Sequence, residues 1–408
     1  MSFTSWAQTS LSFQQALEQT YRNNPELQVQ IQKAEAFKGK AIQRGLYPNP
    51  FLELEGENIG GSGSFKGFES AETTLSLTQP IPLGGQWQAA YQTSTQQYTA
   101  MRTSIDRQKA LLYIKTGHAY IDVLYAERWY QVMQKLLDLN KKIVADIERR
   151  KNSGASSELD LRLAQIALGE VEIERTQAKR QVLHFRAVLA RVLGSSSFMP
   201  YTRLYDEGLP HQIPEWTTLK SKLNHSVFLL EKQQQLNAKR LEITAVKKQI
   251  WPIVKFRLGA RHFSDDNENA LVISANGAVP VFNRNQGNIY TAEAEYTQIM
   301  NELLAKRLEI RQQLYQNYLE ARQKSEASTM IKNKLLPLAR KGTTLAQQGY
   351  HRGLYSYVAL SNALTTLFKE ERHYQQAHAE RDKALISMYG LLGTHTLEEK
   401  MVKKKDNP

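Results

Sequence analysis

The 408-residue chain contains no cysteine. Disulfides, thiol nucleophiles and zinc–thiolate sites are excluded, and a cysteine-free chain suits an oxidising compartment. It also has no run of about 18–20 apolar residues, so no helix of the usual kind spans a membrane. Short, half-apolar β-strands are not excluded by that absence. From Gln86 to Lys151 there is no proline, and Gly117 is the only glycine. That stretch predicts a single helix of about 65 residues, or ~98 Å at 1.5 Å per residue. A second, similar stretch, from about Gln286 to Gln348, is interrupted by Pro337.

Familiar catalytic patterns are missing as well. No HExxH, GxSxG or phosphate loop occurs, and the glycine-rich GGSGSFKG at 60–67 leads from strand to strand rather than into a helix. None of the nine histidines forms an i, i+4 pair. With no cysteine and no clustered methionine, no metal or cofactor site is expected, each histidine is read as a surface residue, and the chain is not read as an enzyme. Net charge is +13 with a pI near 9.5. The basic residues are spread along helices and interleaved with Glu and Gln, with a run of lysines at Lys403–Lys405, so a solvated surface outweighs nucleic-acid binding.

What is present is a duplication. Lys135-Leu136-Leu137, Gly154 with Ser157, and Leu193-Gly194 recur 199 residues later as Lys334-Leu335-Leu336, Gly353 with Ser356, and Leu392-Gly393. Upstream, Pro48 and Pro82 match Pro252 and Pro280. The second interval is shorter by six residues, which belong in the loop between two strands. Each half reads helix, helix, strand, strand, long helix, helix.

The expected divisions are a flexible or leader-remnant N-terminus (1–10), a first repeat (11–200) and a linker (201–214). A second repeat (215–393) and a basic tail (394–408) follow. Within the repeats, strand hairpins fall near 50–82 and 252–281, and long helical hairpins near 86–193 and 286–391. MSFTSWAQTS has no apolar core for a signal peptide, though Ser5-Trp6-Ala7 resembles the end of a cleavage site.

Each strand is expected to run for roughly 10 residues, the length that crosses a bilayer when tilted. The strands alternate. Leu52 and Leu54 oppose Glu53, Glu55 and Glu57, and Leu75 and Leu77 oppose Thr74, Ser76 and Thr78. Val254, Phe256 and Leu258 oppose Lys255, Arg257 and Arg261, while Leu271 and Ile273 alternate with Val272 and Ser274. Four strands cannot close a membrane barrel, and open edges cannot face lipid, so if these strands cross a membrane several chains must contribute; three copies would give twelve strands. A hairpin packed on a helix would alternate in the same way. The 3-4 spacing of Trp129, Val132, Leu136, Leu139 and Ile143, and of Tyr357, Leu360, Leu364 and Leu367, marks coiled-coil seams.

The duplication, YPNP before the first strands, LTQPIPLGG after them and KLLPLARKGTTLAQQGYHRGLYSYVAL at 334–360 resemble the TolC family of outer-membrane efflux channels. PNPFLELEGEN with ETTLSLTQPIPLGG looks like its CzcC-like heavy-metal branch. The resemblance implies mixed α and transmembrane-β architecture: a homotrimer with a shared 12-stranded barrel in outer-membrane lipid of a Gram-negative cell, and a coiled-coil α-helical tunnel in the periplasm. It implies a passive conduit joined by a periplasmic adaptor to an inner-membrane RND pump.

By the same resemblance, the helical tips that dock the adaptor fall on Gly154, Ser157, Arg352, Gly353 and Ser356. The aperture lock falls on Asp160, Tyr350 and Tyr355. Tyr355 replaces a family arginine, so the lock loses an ionic partner, and Ala359 and Asn362 replace an acidic entrance ring. Glu53, Glu55, Glu57, Lys255, Arg257 and Arg261 are expected to face the lumen. A duct for drugs or other organic solutes, and a soluble coiled-coil scaffold, remain the alternatives.

Overall fold

A computed structural model describes residues 10–198, 201, 203–205 and 208–393. The expectations for residues 1–9 and for the 394–408 tail lie outside the described residues. The elements run α1 (Phe13–Asn23), α2 (Pro25–Gly45), β1 (Phe51–Glu57), β2 (Glu72–Pro82), α3 (Gln86–Asn152) and α4 (Glu158–Val192). The second half gives α5 (Trp216–Lys222), α6 (Val227–Lys248), β3 (Ile253–Phe263), β4 (Glu268–Asn276), α7 (Gln286–Met330), α8 (Leu336–His351) and α9 (Tyr357–Leu392).

The proline-free stretch with its single glycine is one uninterrupted helix of 67 residues. Its counterpart breaks before Pro337: a π turn, Ile331–Leu335, separates α7 from α8. Proline lacks an amide hydrogen, and its ring displaces the carbonyl one turn earlier, so the local winding loosens.

The chain divides into two units that cut across the duplication. One comprises Met1–Val29, Asp106–Phe228 and Arg307–Pro408; the other comprises Gln30–Ile105 and Leu229–Lys306.

In the first unit, Phe13 of α1 packs edge-on against Tyr113 and Tyr120 of α3, over Leu189 and Leu193 at the end of α4. Ser12 caps α1 reciprocally with Gln15. The lone glycine of α3 has a packing reason: a Cβ on Gly117 would lie 2.5 Å from Cγ2 of Ile386, so its absence lets α3 and α9 approach. Further along, Met133, Leu136, Val171 and Ala178 form a buried cluster flanked by Trp129 and Val132. Near the helix ends, Ile143 and Ile147 of α3 join Leu161 and Ala164 of α4, Ala346 and Tyr350 of α8, and Tyr357, Leu360 and Leu364 of α9. The seams read from 3-4 spacing are these cores.

Two histidines depart from the expected surface position. His118 is half-buried, with Nε2 2.9 Å from the Ser387 hydroxyl and 3.2 Å from the Lys383 carbonyl. His378 lies edge-on to Tyr374 and beside Tyr125, whose hydroxyl donates to buried Asp382 at 2.6 Å. Arg381 also donates to Asp382, at 2.6 Å. A helix that packs on several neighbours has no solvated face at these positions, which pattern reading along one helix does not reveal.

In the second unit, α6 and α7 are joined by Lys232–Glu302 (2.6 Å), Lys239–Glu295 (2.6 Å) and Lys247–Glu293 (2.7 Å). Ala238 and Ala245 of α6 and Ala292 of α7 are buried. The strands form a single antiparallel sheet in the order β1-β2-β3-β4. β1 has seven residues rather than roughly ten. The β1–β2 connection therefore covers 58–71, against 264–267 between β3 and β4. The length difference lies in that loop as expected, and the early end of β1 enlarges it.

Candidate functional site

The register sets side chains of like character in rows across all four strands. Leu52, Leu77, Leu258 and Ile273 form one row, and Leu54, Leu75, Ala260 and Leu271 the next but one. These leucines and the isoleucine are bare: Leu52 is 75% exposed, Leu54 72%, Leu271 71% and Ile273 70%. Eight apolar side chains on one open face are the reverse of a water-soluble sheet, which turns such rows onto a core.

The other face is polar, and its floor is covered. Thr74, Ser76 and Thr78 of β2 are buried. Two arginines of β3 lie across them. Arg257 donates to Ser76 at 2.8 Å and to Glu55 at 2.6 Å. Arg261 donates to Thr74 at 2.9 Å and pairs with Glu57 at 2.6 Å and Glu72 at 2.5 Å. Short side chains on β2 leave room for β3 to reach β1 over it, so the two hairpins of the duplicated halves are tied together. Glu53 stands 3.9 Å from Arg257, beyond hydrogen-bond reach, and Lys255 is exposed on the same face. All six charges expected on this face occupy it. Glu72 could not be read as a partner from residue spacing, because that pairing depends on the β2–β3 register.

The turn between α3 and α4 and the turn between α8 and α9 have the same construction. Gly154 (φ +77°) and Gly353 (φ +72°) adopt the left-handed conformation that ends a helix, with open space where a side chain would be. The following amides close back: Ala155 N–H to the Arg150 carbonyl at 2.8 Å, and Leu354 N–H to the Gly349 carbonyl at 2.8 Å. Ser157 and Ser356 then cap α4 and α9, accepting from the amides of Asp160 (3.0 Å) and Ala359 (3.3 Å). Arg352 is the exposed C-cap of α8. The Gly-x-x-Ser spacing thus has a local cause: one residue stops a helix and another starts the next.

Of the three residues expected at the aperture, the structure links two. Tyr350 is buried, with its hydroxyl 2.8 Å from Ser156 Oγ, and Ser156 donates to Asp160 at 3.4 Å. Tyr355 stands apart, exposed, its ring over Gly349. Other contacts between the tips were not foreseen. The Arg150 guanidinium donates to the His351 carbonyl at 2.6 Å and lies over the Tyr350 ring at 5.2 Å. His351 Nδ1 lies 3.1 Å from Asp146. Nothing in sequence spacing brings 146–160 to 350, so only the 199-residue repeat could have hinted that the turns are neighbours.

Among the described residues no group of three or more His, Asp or Glu side chains is gathered for a metal ion, and no helix is long and apolar enough to cross a membrane.

The sequence model of the outer membrane efflux protein family matches residues 16–195 and 219–394, one match in each half. Among curated proteins, the chain is similar to the cobalt-zinc-cadmium resistance protein CzcC of Cupriavidus metallidurans, 22% identical over 94% of this chain and 90% of the relative. It is similar also to the nickel-cobalt-cadmium resistance protein NccC of Alcaligenes xylosoxydans, 23% identical over 72% of this chain and 66% of the relative. Among solved structures, CusC superposes with a TM-score of 0.80 at 18% identity, covering 96% of this chain and 95% of the other. The Vibrio cholerae outer membrane protein VceC superposes at 0.78 and 16% identity, covering 93% and 96%. Long helices, four antiparallel strands per chain and a family match in both halves make this chain a member of the outer membrane efflux protein family, the TolC-like, non-enzymatic channels that assemble as trimers with a barrel in the outer membrane and a helical tunnel in the periplasm.

Proposed function

We propose that this channel is the exit duct of a heavy-metal efflux system and that its cargo is divalent metal cations. The duct reading rests on one observation: the apolar rows of the sheet are bare, whereas the charged face is folded over its own polar floor. In a closed barrel such rows meet lipid, and the opposite face lines water. Glu53, Glu55, Glu57, Lys255, Arg257 and Arg261 then stand in the lumen. The cargo is supported by the similarity to CzcC over nearly the whole of both chains, and by NccC.

In this reading the duct binds nothing tightly and does no work. A periplasmic adaptor docks at Gly154, Ser157, Arg352, Gly353 and Ser356 and connects it to an inner-membrane RND pump. Asp160 and Tyr350, bridged by Ser156, hold the aperture. Tyr355 contributes bulk rather than charge.

The test is growth of the source cell after deletion of the gene. Sensitivity to cobalt, zinc or cadmium that the intact gene reverses, with unchanged tolerance of organic antibiotics, is the expected result. Sensitivity to antibiotics or organic solutes alone would overturn the metal reading in favour of an organic-solute duct. Full extraction of the protein into buffer without detergent would overturn the duct itself in favour of a scaffold.

A further inference from the structure

Within the first unit, a cavity of 840 Å3 is lined by α3, by α4 and by residues 203–205, which lie between the two family matches. Its volume falls in the range of small-ligand pockets, about 300–1,000 Å3. The third segment is pinned in place. The Leu11 amide donates to the Arg203 carbonyl at 3.0 Å, Leu204 is buried, and the Tyr205 amide donates to the buried Tyr120 hydroxyl at 3.1 Å. Arg203 is thereby held at the cavity, its guanidinium over the Tyr205 ring at 5.5 Å.

The lining is rich in donors and poor in acceptors. Arg128, Lys179, Arg186 and Arg203 border the cavity against one carboxylate, Glu127. That carboxylate is engaged: Arg186 donates to its Oε1 through Nε at 2.9 Å and through Nη2 at 2.6 Å. Among the described residues, Lys179 and Arg203 meet no carboxylate. The Tyr130 hydroxyl accepts from Arg175 and from Gln134, both at 3.1 Å, which fills its lone pairs and leaves its proton to donate. Two buried donors on residues that touch this lining find no partner among the described residues. One is the Tyr201 hydroxyl, whose ring lies 5.6 Å from the Arg186 guanidinium, and the other is Nε of Arg175.

We propose that this cavity binds a small organic polycarboxylate. Cations that converge from three segments on one concave surface repel one another, and a bound anion reverses that repulsion. Arg203 offers a planar fork that matches a carboxylate, and Lys179 adds a point charge on the α4 side. Leu124, Val182, Leu183 and Leu204 give the cavity an apolar wall for a carbon skeleton. Because the donors come from α3, α4 and residues 203–205, several carboxylates on a short carbon frame engage more of them than one compact inorganic anion does. A ligand seated there joins the segment between the family matches to the helical hairpin. The inference is independent of the cargo and of which face of the sheet meets lipid.

The test is calorimetric titration of the full chain, purified in detergent, with propane-1,2,3-tricarboxylate at constant ionic strength. Saturable binding of one ligand per chain is expected, weakening as sodium chloride is raised. Lys179→Gln and Arg203→Gln should each weaken it about tenfold, the loss of one charge-assisted contact. Lys33→Gln, at an exposed lysine of α2 in the other unit, should leave it unchanged. Both cavity substitutions fall on exposed side chains, thermal melting reports whether each variant is folded, and if one is lost the other decides. Heat that never saturates, binding untouched by a folded cavity variant, or an equal loss in Lys33→Gln would overturn the site. Acetate or inorganic phosphate that competes for it with equal affinity would overturn the polycarboxylate class.

Discussion

His378 is the residue whose surroundings most change its chemistry. Burial, with the Arg381 charge beside it, holds its pKa down to about 4, although Asp382 pulls the other way and Arg128 and Lys332 add to the depression. In the unfolded chain the same imidazole titrates near 6.5. Between those values the unfolded state binds the extra proton, so the contribution of neutral His378 is complete above about pH 6.5 and is lost as pH falls towards 4. Detergent-solubilised protein should therefore lose thermal stability over that window, and His378→Gln should flatten the loss. A melting curve that moves equally in both proteins would refute the assignment. Asp160 acts at the same scale. Removing its carboxylate leaves Ser156 with Tyr350 alone, and Asp160→Ala is expected to raise single-channel conductance in planar bilayers; unchanged conductance would reduce Asp160 to a carboxylate at the start of a helix.

At the scale of elements, the alternation of the strands and the 3-4 seams were legible because each is a local period imposed by the geometry of one element. The caps at the tips were legible as positions but not as caps, since Gly154 and Ser157 stood out only through their repetition at 353 and 356. What could not be read depends on register between distant segments. Arg257 and Arg261 reach β1 only because β2 aligns Ser76 and Thr74 beneath them. Ser156 enters the tip contact only because Tyr350 arrives from the other half. Pro337 announced a break in the helix, and the π turn is the form it takes. The bare rows of the sheet carry the prediction at this scale. Leu54→Arg or Phe256→Arg places a charge where the barrel meets lipid, at a cost of ~2–4 kcal/mol near the midplane. The amount of trimer in isolated outer membranes should fall for both variants, and undiminished trimer would reverse the assignment of the two faces.

For the whole molecule, the sheet order β1-β2-β3-β4 leaves both β1 and β4 with an unpaired edge. Their backbone groups have no water to turn to in a bilayer, so a wall made from a single chain cannot persist there. The pore is thus a property that no one polypeptide possesses, and this has a genetic meaning. If a cell makes intact and Leu54→Arg subunits in equal amounts and they mix at random, only about one ring in eight is built wholly from sound copies. On the proposed metal cargo, the defective allele should behave as dominant, depressing metal tolerance well below half. A merodiploid strain that keeps half its tolerance would mean that subunits are sorted before they meet.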